Sequence, residues 1–256
     1  MEHQNIKGVE VPSLGMGTYR LTGEDCTGAV RLALSMGYRH VDTAQMYGNE
    51  AEVGRGMEDS GVDREEIFLT TKVWPSDYAH DRVIEKTRES LKKLRTEYVD
   101  LLLMHWPGDG VALGETLGAM RSLQDEGAVR HVGVSNFSPS LTEEAAEHVD
   151  VFCNQVEYHV YKSQDALLDQ ARDMDYLIVA YRPLSRGGVE GDGTLREVGG
   201  AHGKTAAQVA LRWLVQQEKV SAIPKATGEE HLRANLDVFD FELSDEEMDR
   251  VSSLSR

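Results

Sequence analysis

Four side chains in this sequence, Asp42, Tyr47, Lys72 and His105, supply a carboxylate, a phenol, an amine and an imidazole, at or just beyond the ends of apolar runs. Free tyrosine titrates near pH 10, and a neighbouring ammonium favours the phenolate and lowers that value. Asp42 would hold Lys72 charged and in place, and His105 can donate to a carbonyl and orient it. The set suits proton donation from Tyr47 to a carbonyl oxygen while hydride arrives at the carbon. Each member also has a plainer explanation. Asp42 and Tyr47 suit a helix-entry carboxylate and a half-buried aromatic equally well. Lys72, in Leu-Thr-Thr-Lys-Val-Trp, could snorkel, and His105, after Leu-Leu-Leu-Met, could be a satisfied core histidine.

The elements that must position these groups are legible around them. A short strand, Arg39, His40 and Val41, runs into Asp42, Tyr47 stands in the following loop, and Asn49 can cap a helix whose third position is Glu52, a capping box. That order describes a βα loop of a parallel α/β fold, where such folds carry their chemistry. Apolar strands end near Gly17, Asp42, Lys72, His105, Ser135, Gln155, Tyr181 and Ile223, the second to fifth spaced 30, 33 and 30 residues apart. Amphipathic helices are expected at 24–36, 49–60, 81–94, 113–126, 141–148, 165–174, 205–217 and 229–236. Segments 98–104 and 176–180 are nearly continuous apolar runs, as strands buried on both faces must be. A βα unit of this size, repeated about eight times, closes a (β/α)8 TIM barrel. A hairpin at 5–11 should cover its bottom, a short helix at 194–202 should precede the seventh barrel helix, and a last helix at 244–254 should pack outside. One domain over 1–256 is expected. A doubly wound fold fits poorly: Gly15-Met16-Gly17 continues into Thr18-Tyr19-Arg20, so the third glycine of GxGxxG is missing.

The stretch 37–54, Gly-Tyr-Arg-His-Val-Asp-Thr-Ala-Gln-Met-Tyr-Gly-Asn-Glu-Ala-Glu-Val-Gly, resembles the aldo-keto reductase family signature position by position. The surrounding chain is similar to short microbial members that include diketogluconate and methylglyoxal reductases. The resemblance implies an NADPH-dependent carbonyl reductase on a (β/α)8 barrel, with Asp42, Tyr47, Lys72 and His105 as its tetrad. It further implies that Ser135, Asn136 and Gln155 hold the nicotinamide carboxamide and that Tyr181 stacks on the ring. Gly17, Thr18, Asp42, Pro183, Leu184 and Ser185 would also contact the cofactor, and the glycine-rich run 186–193 would fold over its pyrophosphate. Arg182 stands where a serine is more usual. Tyr19, Trp74 and Trp106 would line the substrate pocket with Tyr47 and His105. In the eighth unit the resemblance puts Ile223, Lys225, Ala226, Thr227, His231 and Asn235 against the cofactor. There the family usually has Ser or Thr after the lysine and Arg six residues after it, both facing the adenosine 2′-phosphate; here they are Ala226 and His231. Arg233 lies roughly 200° further round the helix and cannot take that place. NADP(H) is expected, with NAD(H) as the alternative. The short loop after Trp106-Pro107 and the short C-terminal segment imply an open pocket for varied small aldehydes and ketones.

The 256 residues carry 44 acidic and 27 basic side chains, the latter 18 Arg and 9 Lys, for a net charge of −17. That excess argues against nucleic acid or anionic membranes as partners. With the arginine bias, it fits a salty cytosol in which ions screen self-repulsion. Cys26 and Cys153 form no CxxC pair, so neither a disulfide framework nor a metal site is indicated. From the polar first residues no signal peptide is expected, and a cytoplasmic monomer acting on a small carbonyl substrate is expected. Two other functions are compatible with parts of the pattern: a cofactor-binding regulatory subunit, and a Schiff-base aldolase using Lys72.

Overall fold

A computed structural model describes residues 1–255 and opens with a hairpin, β1 (His3–Ile6) antiparallel to β2 (Val9–Pro12). Its turn is only Lys7 and Gly8, both left-handed at φ 50° and 81°. This is the geometry that lets pairing begin beside the turn, and the strands therefore extend beyond the 5–11 span.

Eight parallel strands follow: β3 (Met16–Gly17), β4 (His40–Asp42), β5 (Phe68–Val73), β6 (Val99–Met104), β7 (Val129–Ser135), β8 (Cys153–Glu157), β9 (Leu177–Tyr181) and β10 (Val220–Ala222). Their spatial order is their chain order. The barrel closes where Leu14 bridges to Ala222, the Gly15 N–H donating to the Ala222 carbonyl at 2.8 Å and the Ala222 N–H to the Ser13 carbonyl at 2.9 Å. This seam accounts for two glycines. A Cβ on Gly15 would lie 2.7 Å from the His40 ring, and one on Gly17 would lie 2.7 Å from the Ile223 carbonyl oxygen.

The helices are α1 (Gly23–Ser35), α2 (Glu50–Ser60), α3 (His80–Leu94), α4 (Leu113–Asp125), α5 (Pro139–Ala146), α6 (Asp165–Met174), α7 (Gly193–His202), α8 (Ala206–Val215), α9 (Glu229–Leu236) and α10 (Asp245–Ser252). Of these, α7 is the extra helix of the seventh unit and α10 follows the eighth. Ser138 and Asp192 cap α5 and α7, and Thr205 and Ser244 form full capping boxes at α8 and α10. The box expected from Asn49 and Glu52 does not form, because the Asn49 side chain is spent on other loops.

Every residue of β5 and β6 is buried, and alternation along each strand sorts side chains between two cores. Phe68, Leu101, Leu103, Leu177 and Val179 fill the barrel interior, joined by Ile6 and Val11 of the hairpin, which plugs the end where the strands begin. Outward-facing residues such as Leu69, Leu102 and Ile178 pack under the helices. The inward row of β5 continues to Lys72, and that of β6 to His105 just past the strand. The interior packing thus delivers polar groups to the far end.

Candidate active site

At that far end Asp42 closes β4, its carbonyl accepting from the Thr18 N–H at 3.0 Å and the Thr18 hydroxyl at 2.9 Å. Lys72 is fully buried and Asp42 is 1% exposed. The Lys72 ammonium donates to Asp42 Oδ1 at 2.6 Å and to the Thr43 carbonyl at 2.8 Å, and Gln155 Nε2 donates to Asp42 Oδ2 at 2.8 Å. Burial opposes the charge on Lys72, but the Asp42 carboxylate and the Tyr47 phenol override it and hold its pKa above the ordinary lysine value.

Tyr47 sits in a 3-10 turn, its ring centroid 5.1 Å from the Lys72 ammonium. Rings of Tyr19 and His105 pack against it at 5.0 and 5.7 Å. Here the structure corrects the sequence-based expectation. Burial raises the phenol pKa by more than Lys72 lowers it, so Tyr47 lies above the ordinary tyrosine value. Lys72 limits the rise instead of producing a depressed pKa. Burial, seconded by Lys72, pushes the His105 pKa down to about 3. The imidazole is therefore neutral near pH 7 and has one N–H to donate, and its Nδ1 has no hydrogen-bond partner among the described residues.

The neighbouring strand ends carry a second polar group. The Ser135 hydroxyl donates to the Gln155 carbonyl at 2.8 Å, Asn136 Nδ2 to Ser135 Oγ at 3.0 Å, and the Tyr181 hydroxyl to Asn136 Oδ1 at 2.7 Å. Asn136 takes a left-handed backbone, φ 63°, a conformation asparagine tolerates well. Gln155 joins this group to the tetrad through Asp42. Arg182, whose guanidinium carbon lies 5.7 Å from the Tyr181 ring centroid, has φ 51°; Ser185 and Arg186 follow at 46° and 56°. Strained runs of this kind cluster where a chain clamps a ligand. An aromatic face pinned by its hydroxyl, with amide and hydroxyl groups beside it, suits a nicotinamide ring and its carboxamide.

The eighth unit is less provided. Lys225, Thr227 and His231 are exposed, Ala226 and Asn235 are buried, and Arg233 is committed to Glu229 at 2.9 Å. Lys225 makes no ion pair among the described residues.

Tyr19 and Trp106 stand exposed at the rim, with Trp74 packed edge-on to His105 at 5.1 Å. Met46 is exposed there too and was not singled out by the sequence reading; its place directly before Tyr47 was the available signal. Thr43 was not singled out either, and Asn49 was expected only as a helix cap. The Asn49 amide donates to the Thr18 and Leu21 carbonyls, each at 2.9 Å, and its oxygen accepts from the Thr43 hydroxyl at 2.8 Å. Clefts of about 520 and 320 Å³ lie elsewhere, one lined by Lys7, His148 and Met174 and the other by Val9, Phe68 and His131. Neither is lined by a member of the tetrad. Among the described residues no group of three or more His, Cys, Asp or Glu could hold a metal, and no helix is long and apolar enough to cross a membrane.

A sequence profile described as the aldo/keto reductase family matches residues 13–256. A glyoxal reductase of Bacillus subtilis is 38% identical over 252 residues, covering 97% of this chain and 91% of that protein. A morphine 6-dehydrogenase of Pseudomonas putida is 40% identical over 263 residues, covering 96% and 88%. Among solved structures, a candidate 2,5-diketo-D-gluconic acid reductase B superposes with a TM-score of 0.98 at 48% identity, covering 100% of this chain and 92% of that one.

Proposed function

The chain belongs to the aldo/keto reductase family and is a carbonyl-reducing oxidoreductase that uses a nicotinamide cofactor; from that premise we propose that Tyr47 is the acid that protonates the carbonyl oxygen of small aldehydes and ketones. One observation carries the assignment: a buried ammonium, Lys72, paired with Asp42 at 2.6 Å and lying 5.1 Å from the Tyr47 ring centroid. As the carbonyl oxygen gains charge, Tyr47 gives up its proton, and the adjacent ammonium stabilises the phenolate that forms. Asp42 keeps Lys72 charged and in place. Neutral His105 donates its N–H to the same oxygen and orients the carbonyl. Tyr19, Met46, Trp74 and Trp106 would pack against a bound substrate without demanding one shape. A bound nicotinamide would supply the hydride. Ser135, Asn136, Gln155 and Tyr181 would hold it, with Gly17, Thr18, Pro183, Leu184, Ser185, Ile223, Ala226, Thr227 and Asn235 along its length.

NADPH is the cofactor we assign, on the strength of Lys225, with a reduced margin over NADH because Ala226 and His231 replace the usual polar and cationic partners. Relatives named glyoxal and methylglyoxal reductases support small aldehydes as substrates. A Schiff-base role for Lys72 is disfavoured, since a nucleophilic amine needs a lowered pKa and this one is raised. The test is oxidation of NADPH and NADH against a panel of aldehydes, in wild type and Tyr47→Phe. Tyr47→Phe should reduce turnover by about 10²–10⁴-fold with cofactor affinity nearly intact. Activity within a few-fold of wild type would remove Tyr47 from the role.

A further inference from the structure

We propose that Glu50 is a positioning residue for Tyr47, anchoring the turn that carries the phenol to β5 through Thr71, beside the separate Gln45–Ser90 link that ties the same turn to α3. Glu50 is the first residue of α2 and only 2% exposed. Its Oε1 accepts from the Thr71 hydroxyl at 2.8 Å, one residue before Lys72. Its Oε2 has no hydrogen-bond partner among the described residues, and the facing cation, Lys93, lies 3.8 Å away on a half-exposed side chain. The Ser90 hydroxyl is beside the carboxyl but is already engaged: it donates to the Lys86 carbonyl at 3.1 Å and accepts from Gln45 Nε2 at 3.1 Å. Gln45 Oε1 in turn accepts from the Trp74 N–H at 3.4 Å.

A carboxyl buried with one hydrogen bond is costly. Burial raises its pKa against the pull of Thr71, Ser90 and Lys93, and Glu89 adds to the rise. A helix-entry carboxylate needs no such burial to favour the helix dipole; Glu52, in the same first turn, is only partly buried. What the Glu50 site supplies is connection. Gln45, on one side of the turn, is tied to Ser90 and Trp74. On the other side Gly48 reverses the chain at φ 68°, and Asn49 and Glu50 are tied to Thr18, Leu21, Thr43 and Thr71. Tyr47 hangs between these anchors, and its distance from Lys72 is set by them.

This inference rests on Tyr47 being the acid, so its test includes a measurement independent of turnover. Glu50→Ala, Glu50→Gln and Thr71→Val would be compared by kcat and KM and by the ¹³Cζ resonance of Tyr47, assigned with Tyr47→Phe. Because misplacement by about 1 Å can cost about a hundredfold, Glu50→Ala should lower kcat by about ten- to a hundredfold with cofactor KM within about twofold, and should move the Tyr47 resonance. Glu50→Gln, which keeps an acceptor for Thr71, should restore both. A folded Glu50→Ala protein with wild-type kcat and an unmoved resonance overturns the proposal. If Glu50→Ala does not fold, Thr71→Val must move the resonance, and failure to do so overturns it equally. Should the wild type reduce no carbonyl, the acid assignment fails, while the resonance still reports whether Glu50 places the phenol.

Discussion

Replacing Lys72 by methionine separates what the buried ion pair does for stability from what it does for chemistry. Methionine matches the lysine stem in bulk, so the change removes one ammonium and little else. Asp42 would then be left 1% exposed with Gln155 Nε2 as its remaining side-chain donor. Both partners are shielded from solvent, so no discount for screening applies, and stranding one charge of a buried pair costs about 3–5 kcal/mol. Urea unfolding should show that loss as a lower midpoint at unchanged slope. Adding Asp42→Asn removes the stranded charge, and the double variant should recover more than half of the stability. Activity should not return with it. Without the ammonium nothing stabilises the Tyr47 phenolate, and kcat should stay down by about 10²–10⁴-fold in both variants. A cost below about 1 kcal/mol for Lys72→Met would mean that no buried charge was stranded. Turnover regained along with stability in the double variant would make Lys72 a structural residue only.

Three further outcomes are expected. His231→Arg should tighten NADPH by about one to two decades, the worth of one charge-assisted phosphate contact, and leave NADH unchanged; equal dissociation constants before and after would mean that α9 does not approach the 2′-phosphate. The net charge of −17 should make the melting temperature rise between low and molar KCl as repulsion is screened, and a flat melting temperature would make the acidic excess incidental. His40 is fully buried, and burial lowers its pKa to about 4 from 6.5. The unfolded chain therefore binds a proton that the folded one refuses between those values, and stability should fall as pH drops from about 6.5 to 4, by up to about 3 kcal/mol. Proton uptake on unfolding measured at pH 5 should decrease in His40→Gln; an unchanged uptake would exclude His40 as its source.

The barrel was legible because its signals are local and repeat. Continuous apolar runs mark strands buried on both faces, and spacings near 30 residues fit one helix between each pair. Strand ends locate the rim where such folds carry their chemistry, which is why the sequence alone groups Asp42, Lys72 and His105. What local pattern could not supply was the competition between long-range contacts. Asn49 stands where a cap belongs, yet Thr18 and Leu21, 31 and 28 residues away, claim its amide, and Thr43 claims its oxygen. Gln155 reaches Asp42 across 113 residues of sequence, a link that exists only because the barrel closes. The pKa of Tyr47 depends on the same closure. An ammonium beside a phenol fixes the sign of one contribution, but Tyr19 and His105 bury the ring, and that burial decides the net direction. A phenol held above its ordinary value remains protonated when the carbonyl arrives. On the proposed assignment it would give up that proton only as charge develops on the oxygen, the moment at which Lys72 can favour the phenolate.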